Sequence, residues 1–278
     1  MKKAIYISVI LLFMISVMAF AKSKGKSNVF AKLYSDKSEI SAGDEIILAV
    51  EFKINKHWHI YWENPGDAGM ATILEFTLPE GFEAGKVLYP YPEKFKTEGL
   101  TSYGYKNKTV LFTKIKVPNN LKINSDYKIK VKALWLECKD VCIPGETELE
   151  MKFKAIAKSK TPKNNSFTND FRKIPKSVSG LVSKIQILGQ SAKIELKFPD
   201  YFEHSSLNFL IYPLNQAIFV HSQKPKITKD KSKFFIELDF DPFKVELPEK
   251  FEFVLVLDDK NAKIIDSKSI YFNVNSRN

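Results

Sequence analysis

The sequence predicts an all-β protein built as two β-sandwich domains. Apolar residues recur at every second position in many short runs, turn-forming residues separate those runs, and a composition shift near the middle divides them into two groups. The length of 278 residues suits two domains of ordinary size, each able to bury a core.

The chain opens with Lys2 and Lys3, an apolar run from Ala4 to Met18, and Ala19-Phe20-Ala21. A positive start, a short apolar stretch and small residues before a cleavage point are the marks of a secretory signal peptide, expected over 1–21 with Lys22 as the mature start. The apolar run is shorter than the roughly 20 residues a spanning helix needs. Export places the protein in an oxidising compartment, where cysteines can pair.

The first β domain is expected over 28–157. Ile129, Val131 and Ala133 alternate with Lys128, Lys130 and Lys132, and Leu149, Met151 and Phe153 alternate with Glu148, Glu150 and Lys152. One apolar face at period two is the pattern of a half-buried antiparallel strand. Asn64-Pro65-Gly66-Asp67, Pro79-Glu80-Gly81, Pro118-Asn119-Asn120 and Pro144-Gly145 read as turns. Residues 158–176, rich in lysine, asparagine and serine with Pro162 and Pro175, read as a linker. The second β domain follows over 177–278, with alternation at Ile194, Leu196, Phe198, at Phe234, Ile236, Leu238, Phe240, and at Ile270, Phe272, Val274. It has no cysteine, and its histidines, His204 and His221, stand isolated. No amphipathic helix is expected.

The net charge is +11. The lysines are spread singly along polar faces, as on a solvated surface, and an exported protein has no call for nucleic acid as a partner.

Chemistry points to the only two cysteines, in Trp135-Leu-Glu-Cys138-Lys-Asp-Val-Cys142-Ile-Pro-Gly-Glu146. They fall at a strand end or hairpin tip. A structural disulfide closing so small a loop would contribute about 2 kcal/mol, against about 4 for one spanning the domain. A tight pair at an exposed tip is better placed for thiol–disulfide exchange, which needs access to one sulfur. Lys139 favours a thiolate and Asp140 opposes it, so local charge does not choose the attacking sulfur. A second segment, Lys56-His57-Trp58-His59-Ile60-Tyr61-Trp62, puts His57 and His59 on one face of a strand, a spacing that suits either an aromatic-faced strand or two metal ligands beside a thiolate. A third, Tyr89 to Tyr105, is a long aromatic loop punctuated by proline, either a hydrophobic plug or a functional loop.

Together, His57-Trp-His-Ile-Tyr-Trp-Glu-Asn-Pro-Gly-Asp-Ala-Gly69, Leu78-Pro-Glu-Gly81, Tyr103-Gly-Tyr105 and Trp135 to Pro144 resemble the N-terminal periplasmic domain of the DsbD thiol:disulfide interchange family, including its stand-alone, ScsB-like relatives. The second domain resembles the extra β domain of the longer relatives, with Tyr212-Pro213 as a landmark. The resemblance implies an immunoglobulin-like fold and a periplasmic location. It also implies a Cys138/Cys142 pair passing electrons to thioredoxin-like or disulfide-bearing proteins, a process tied in the family to cytochrome c biogenesis. The second cysteine of the family forms the mixed disulfide, which matches Cys142; Cys138 resolves it. A cap loop shields the pair, and the segment of Glu93 and Phe95 stands in its place, with Phe95 as the lid. Tyr61 matches an aromatic residue lining the site, and His59 stands where the best-known members carry another tyrosine. The enteric form separates its cysteines by more residues. Full-length relatives continue into a membrane domain and a thioredoxin domain, so a separate membrane protein is the expected electron source. No cofactor or metal is called for. The rival reading is a non-catalytic periplasmic binding or assembly module with a structural disulfide.

Overall fold

The computed structural model describes residues 27–158, 167–202, 207–244, 246–257, 263 and 267–276. The signal-peptide segment, most of the linker and His204 lie outside the described residues.

The protein is an all-β, immunoglobulin-like β-sandwich protein. In the first half, β1 (Val29–Ser35), β3 (Glu45–Ile54), β9 (Lys108–Lys116) and β6 (Glu83–Leu88) form one antiparallel sheet in the order β1-β3-β9-β6. The facing sheet runs β2 (Glu39–Ile40), β11 (Cys142–Ala155), β10 (Asp126–Cys138), β4 (His59–Gly66), β8 (Leu100–Lys106), β7 (Glu93–Thr97), and β5 (Ile73–Thr77) also pairs with β10. β10 forms because its alternation lets one face enter the core: Ile129, Val131, Ala133 and Trp135 are buried against Phe52, Trp62 and Phe153 of the same cluster. The lysines between them face outward and pair across the hairpin, as Lys128 does with Glu150 and Lys132 with Glu146.

The segment Asn64-Pro65-Gly66, expected as a turn, is the end of β4. The register of β4 against β8 shifts between Tyr61 and Gly66, and this irregularity accommodates Pro65, which has no N–H to give to a ladder. The long aromatic segment from Tyr89 is likewise not a loop throughout: its second half is the hairpin β7–β8, paired from Glu93↔Gly104 to Thr97↔Leu100.

The second half carries β12 (Val182–Leu188), β13 (Ser191–Lys197), β16 (Lys233–Asp239) and β15 (Lys226–Asp230) in one sheet, and β14 (Phe209–Pro213), β17 (Lys250–Leu257) and β18 (Ser269–Asn275) in the other. Its core is phenylalanine-rich: Phe198, Phe219, Phe251 and Phe253 are each almost fully buried.

The end of the expected linker is packed, not free. Helix α1 (Thr168–Phe171) is a single turn, and Phe171, Phe167 and Ile174 cover Ala49, Val110 and Phe112 on the outer face of the first sheet. The backbone N–H of Lys176 donates to the Ser269 carbonyl and that of Tyr271 to the Lys176 carbonyl, so the connection joins β18 before the second half begins. The two halves also touch directly. Asn64 Nδ2 donates to the Pro213 carbonyl at 2.8 Å, Gln216 Nε2 to the Glu63 carbonyl at 2.8 Å, and Tyr212 joins the first half's core.

Candidate functional site

β10 and β11 form one long hairpin, and its last cross-strand pair is Cys138↔Cys142. The three residues between them turn the chain, with the Lys139 N–H donating to the Val141 carbonyl. The two cysteines are joined in a disulfide with their Cα atoms 4.2 Å apart. Their environments differ: Cys138 is 2% exposed, whereas Cys142 lies in an exposed run with Val141 at 65% and Ile143 at 41%. One sulfur is therefore open to an approaching molecule and the other is sealed behind it.

β4 supplies the floor. His59 pairs with Cys138 on one side and Lys106 on the other. Two residues on, the Tyr61 hydroxyl donates to Cys138 Sγ at 3.1 Å and lies 3.7 Å from Cys142 Sγ. His59 Nε2 is 3.3 Å from the same hydroxyl. Because the hydroxyl has one proton and gives it to sulfur, the fitting tautomer carries hydrogen on Nε2 and donates to the tyrosine oxygen. Burial, and then the charge of Lys106, hold His59 below the usual histidine pKa. Burial pushes Tyr61 up, keeping it a protonated donor. The Tyr61 ring is fixed from beneath by Gly69, at φ +116°, where a Cβ would sit 2.2 Å from the ring. Only glycine takes that backbone without strain and leaves the ring room.

β7 packs against His59. Phe95 is buried, its ring centroid 5.0 Å from that of His59, and Lys106 Nζ sits over the ring 4.4 Å from its centroid. The structure thus brings Cys138, Cys142, Tyr61, His59 and Phe95 together. Glu93 is exposed, and its charge acts on Tyr212 of the second half, where burial and then Tyr91 come before it as causes of that tyrosine's raised pKa. His57 does not share a strand face with His59. It sits in the turn before β4 with φ 71°, outside the ladder. Among the described residues no three His, Cys, Asp or Glu side chains gather as a metal site.

Glu137 is a residue that pattern reading passes over. It is 1% exposed, and its carboxylate accepts from Trp135 Nε1 (3.0 Å), Ser27 Oγ (2.9 Å), the Asn28 N–H (2.9 Å) and Asn28 Nδ2 (3.3 Å). These bonds tie the start of the described chain to the residue beside Cys138. The available signal was a charge at an inward position of an otherwise apolar strand face, which a fold accepts only if the charge is fully bonded. Gly145 lies opposite Trp135 in the register, and a Cβ there would fall 2.3 Å from the indole.

The N-terminal family of the thiol:disulfide interchange protein DsbD matches residues 32–154, which takes in every residue of this constellation. Residues 32–154 are a DsbD N-terminal-like domain. No curated protein matches the chain. Among solved structures, the N-terminal periplasmic domain of ScsB from Proteus mirabilis superposes with a TM-score of 0.61 at 16% identity, over 92% of this chain and 95% of that one, and so shares the fold of both halves. The DsbD N-terminal domain from Neisseria meningitidis, in its reduced form, aligns over 47% of this chain and 90% of its own at 12% identity, with a TM-score of 0.28. The DsbD N-terminal-like domain is a thiol–disulfide interchange module that holds its Cys138–Cys142 pair at a hairpin tip. Among the described residues no helix is long and apolar enough to cross a membrane.

Proposed function

We propose that this protein is a periplasmic electron relay that reduces disulfides in partner proteins, with Cys142 as the attacking sulfur and Cys138 as the resolving one. The observation that carries the reading is the unequal burial of the two sulfurs, Cys138 sealed and Cys142 exposed. In the reduced protein the Cys142 thiolate attacks one sulfur of the partner's disulfide. A mixed disulfide forms, and the partner's other sulfur leaves as a thiolate that takes up a proton. Cys138, deprotonated, then attacks Cys142 Sγ, restoring the intramolecular disulfide and releasing the partner's second thiol. Two electrons pass to the partner in all.

The hydrogen-bond chain from His59 through Tyr61 to sulfur supports thiolate character in the reduced pair. Phe95, packed on His59, shields the sealed Cys138 side of the pair and leaves Cys142 open. The exposed Val141 and Ile143 beside Cys142 offer apolar contact to a docking protein. Thioredoxin-like and other disulfide-bearing proteins are the partner class, and a separate membrane protein returns the oxidised pair to the dithiol. The likeness to periplasmic domains supports export through the segment at 1–21.

A Cys138→Ser variant retains Cys142 as its single thiol and should accumulate mixed disulfides in intact cells, released by reductant, while Cys142→Ser should not. Capture of no thiol protein, together with a pair potential below about −300 mV as in structural bridges, would leave the disulfide an inert staple.

A further inference from the structure

A cleft of about 410 Å³ lies between the β7–β8 hairpin and the second half, outside the disulfide site. That volume falls in the range of small-molecule sites. Its walls come from two strands that, among the described residues, are sheet edges. β14 contributes Leu210, 61% exposed, and β15 contributes Ile227, 42% exposed, with Leu238 behind them. Large aliphatic side chains left open on facing edges form a surface that an apolar chain would cover.

The charged groups that line the cleft are of one sign. Lys94 and Lys96 enter from β7, and Lys224 from the segment before β15; among the described residues none that lines the cleft is acidic. At its wall stands His221, 3% exposed, whose Nδ1 lies 3.1 Å from the Tyr103 hydroxyl and whose buried Nε2 has no hydrogen-bond partner among the described residues. Burial holds this imidazole below the usual histidine pKa, so it is neutral, with one nitrogen committed to Tyr103 and the other unsatisfied. A buried polar atom with no partner costs free energy unless something fills the vacancy. Lys94 Nζ already donates to the His221 carbonyl at 2.7 Å, which holds one ammonium at the cleft.

We infer that this cleft binds an apolar carboxylate, a single-chain acyl anion of medium length. The alkyl chain would lie against Leu210, Ile227 and Leu238. The carboxylate would sit among the three lysines and accept from His221 Nε2. The site is separate from the disulfide, yet its Lys94 and Lys96 flank Phe95 on the same strand.

Decanoate is the probe, titrated into the full mature protein by calorimetry and by amide NMR. Saturable one-to-one binding is expected, with shifts centred on Lys94, Leu210, His221 and Ile227. Lys96→Glu combined with Lys224→Glu, both exposed and so compatible with folding, should weaken binding by roughly tenfold or more. Leu210→Asp should weaken it independently, and acetate should show no saturable binding. Three results would overturn the inference: no saturable binding of decanoate, the same affinity in the charge-reversed protein, or equal binding of decyltrimethylammonium. The last would mark the cleft as a merely greasy surface. None of these readouts depends on the state of Cys138 and Cys142.

Discussion

Replacing Tyr61 with phenylalanine removes one oxygen from the hydrogen-bond chain that ends on the disulfide. The ring stays seated over Gly69, so the fold should lose little. In the oxidised protein the hydroxyl donates to Cys138 Sγ at 3.1 Å and lies within 3.7 Å of Cys142 Sγ. After reduction the same donor faces whichever sulfur ionises first. A hydrogen bond to a charged group contributes about 1.5–3 kcal/mol, which corresponds to about 1–2 pKa units. Tyr61→Phe should therefore raise the first ionisation of the thiol pair by that amount. The pair titrates as a unit, so the quantity to follow is its first macroscopic pKa. The thiolate population near neutral pH should fall by about tenfold to a hundredfold. Higher basicity recovers part of the loss, because nucleophilicity rises with pKa at a slope of about 0.4–0.5. The net rate of exchange should drop by about threefold to tenfold. The assay is alkylation of the reduced protein by iodoacetamide as a function of pH, read by mass spectrometry. A midpoint that is unchanged or lower in the variant would refute the claim that Tyr61 stabilises a thiolate.

Three further outcomes follow from the same contacts. Phe95→Ala should speed reduction of the disulfide by glutathione while costing up to about 3 kcal/mol of stability, because it removes a buried ring at a sheet edge; stopped-flow reduction and urea unfolding separate the two effects. Glu63, pushed up to about 7 by burial and by Glu252 against the opposing pull of Lys86, holds a proton in the folded state that the unfolded chain releases near 4.5. Its contribution is thus full below pH 4.5 and is lost as pH rises through about 7, so Glu63→Gln should match the parent at pH 4 and exceed it by about 1–3 kcal/mol at pH 8 in chemical denaturation. Glu137→Ala should leave the Trp135 indole N–H and the Ser27–Asn28 donors without their acceptor, destabilise the protein by about 3 kcal/mol, and expose the segment near residue 28 to limited proteolysis.

The parts of the molecule governed by local period were readable in advance. Ile129, Val131 and Ala133 point where alternation puts them, and the cysteines sit at a hairpin tip, but Pro144-Gly145, expected as a turn, lies inside β11 paired with Leu136 and Trp135, and the chain turns at Lys139-Asp140-Val141 instead. The grouping of Tyr61, His59 and Phe95 around the disulfide came through family resemblance, since no periodicity relates residues so far apart in sequence. What escaped depends on tertiary partners. Phe167, Phe171 and Ile174 are spaced like one face of a helix, but lysines and asparagines around them suggest a linker; the apolar outer face of β3 and β9 is what orders them. His221 looked isolated because its partner, Tyr103, belongs to the other half. Pro65 suggested a turn, yet the sheet absorbs it by a register shift.

The backbone ladder of β10 and β11 has a kinetic meaning. It closes on the cysteine pair, so the two residues face each other by virtue of strand pairing, independently of the bond between their sulfurs. With Cys142 engaged elsewhere, Cys138 remains a reagent at high effective concentration, tethered by three residues and a hydrogen-bonded strand. The lifetime of any complex made through Cys142 is then set by the hairpin. A turn lengthened between Lys139 and Asp140, with Val141 and Ile143 kept, would act as a timer and prolong each encounter.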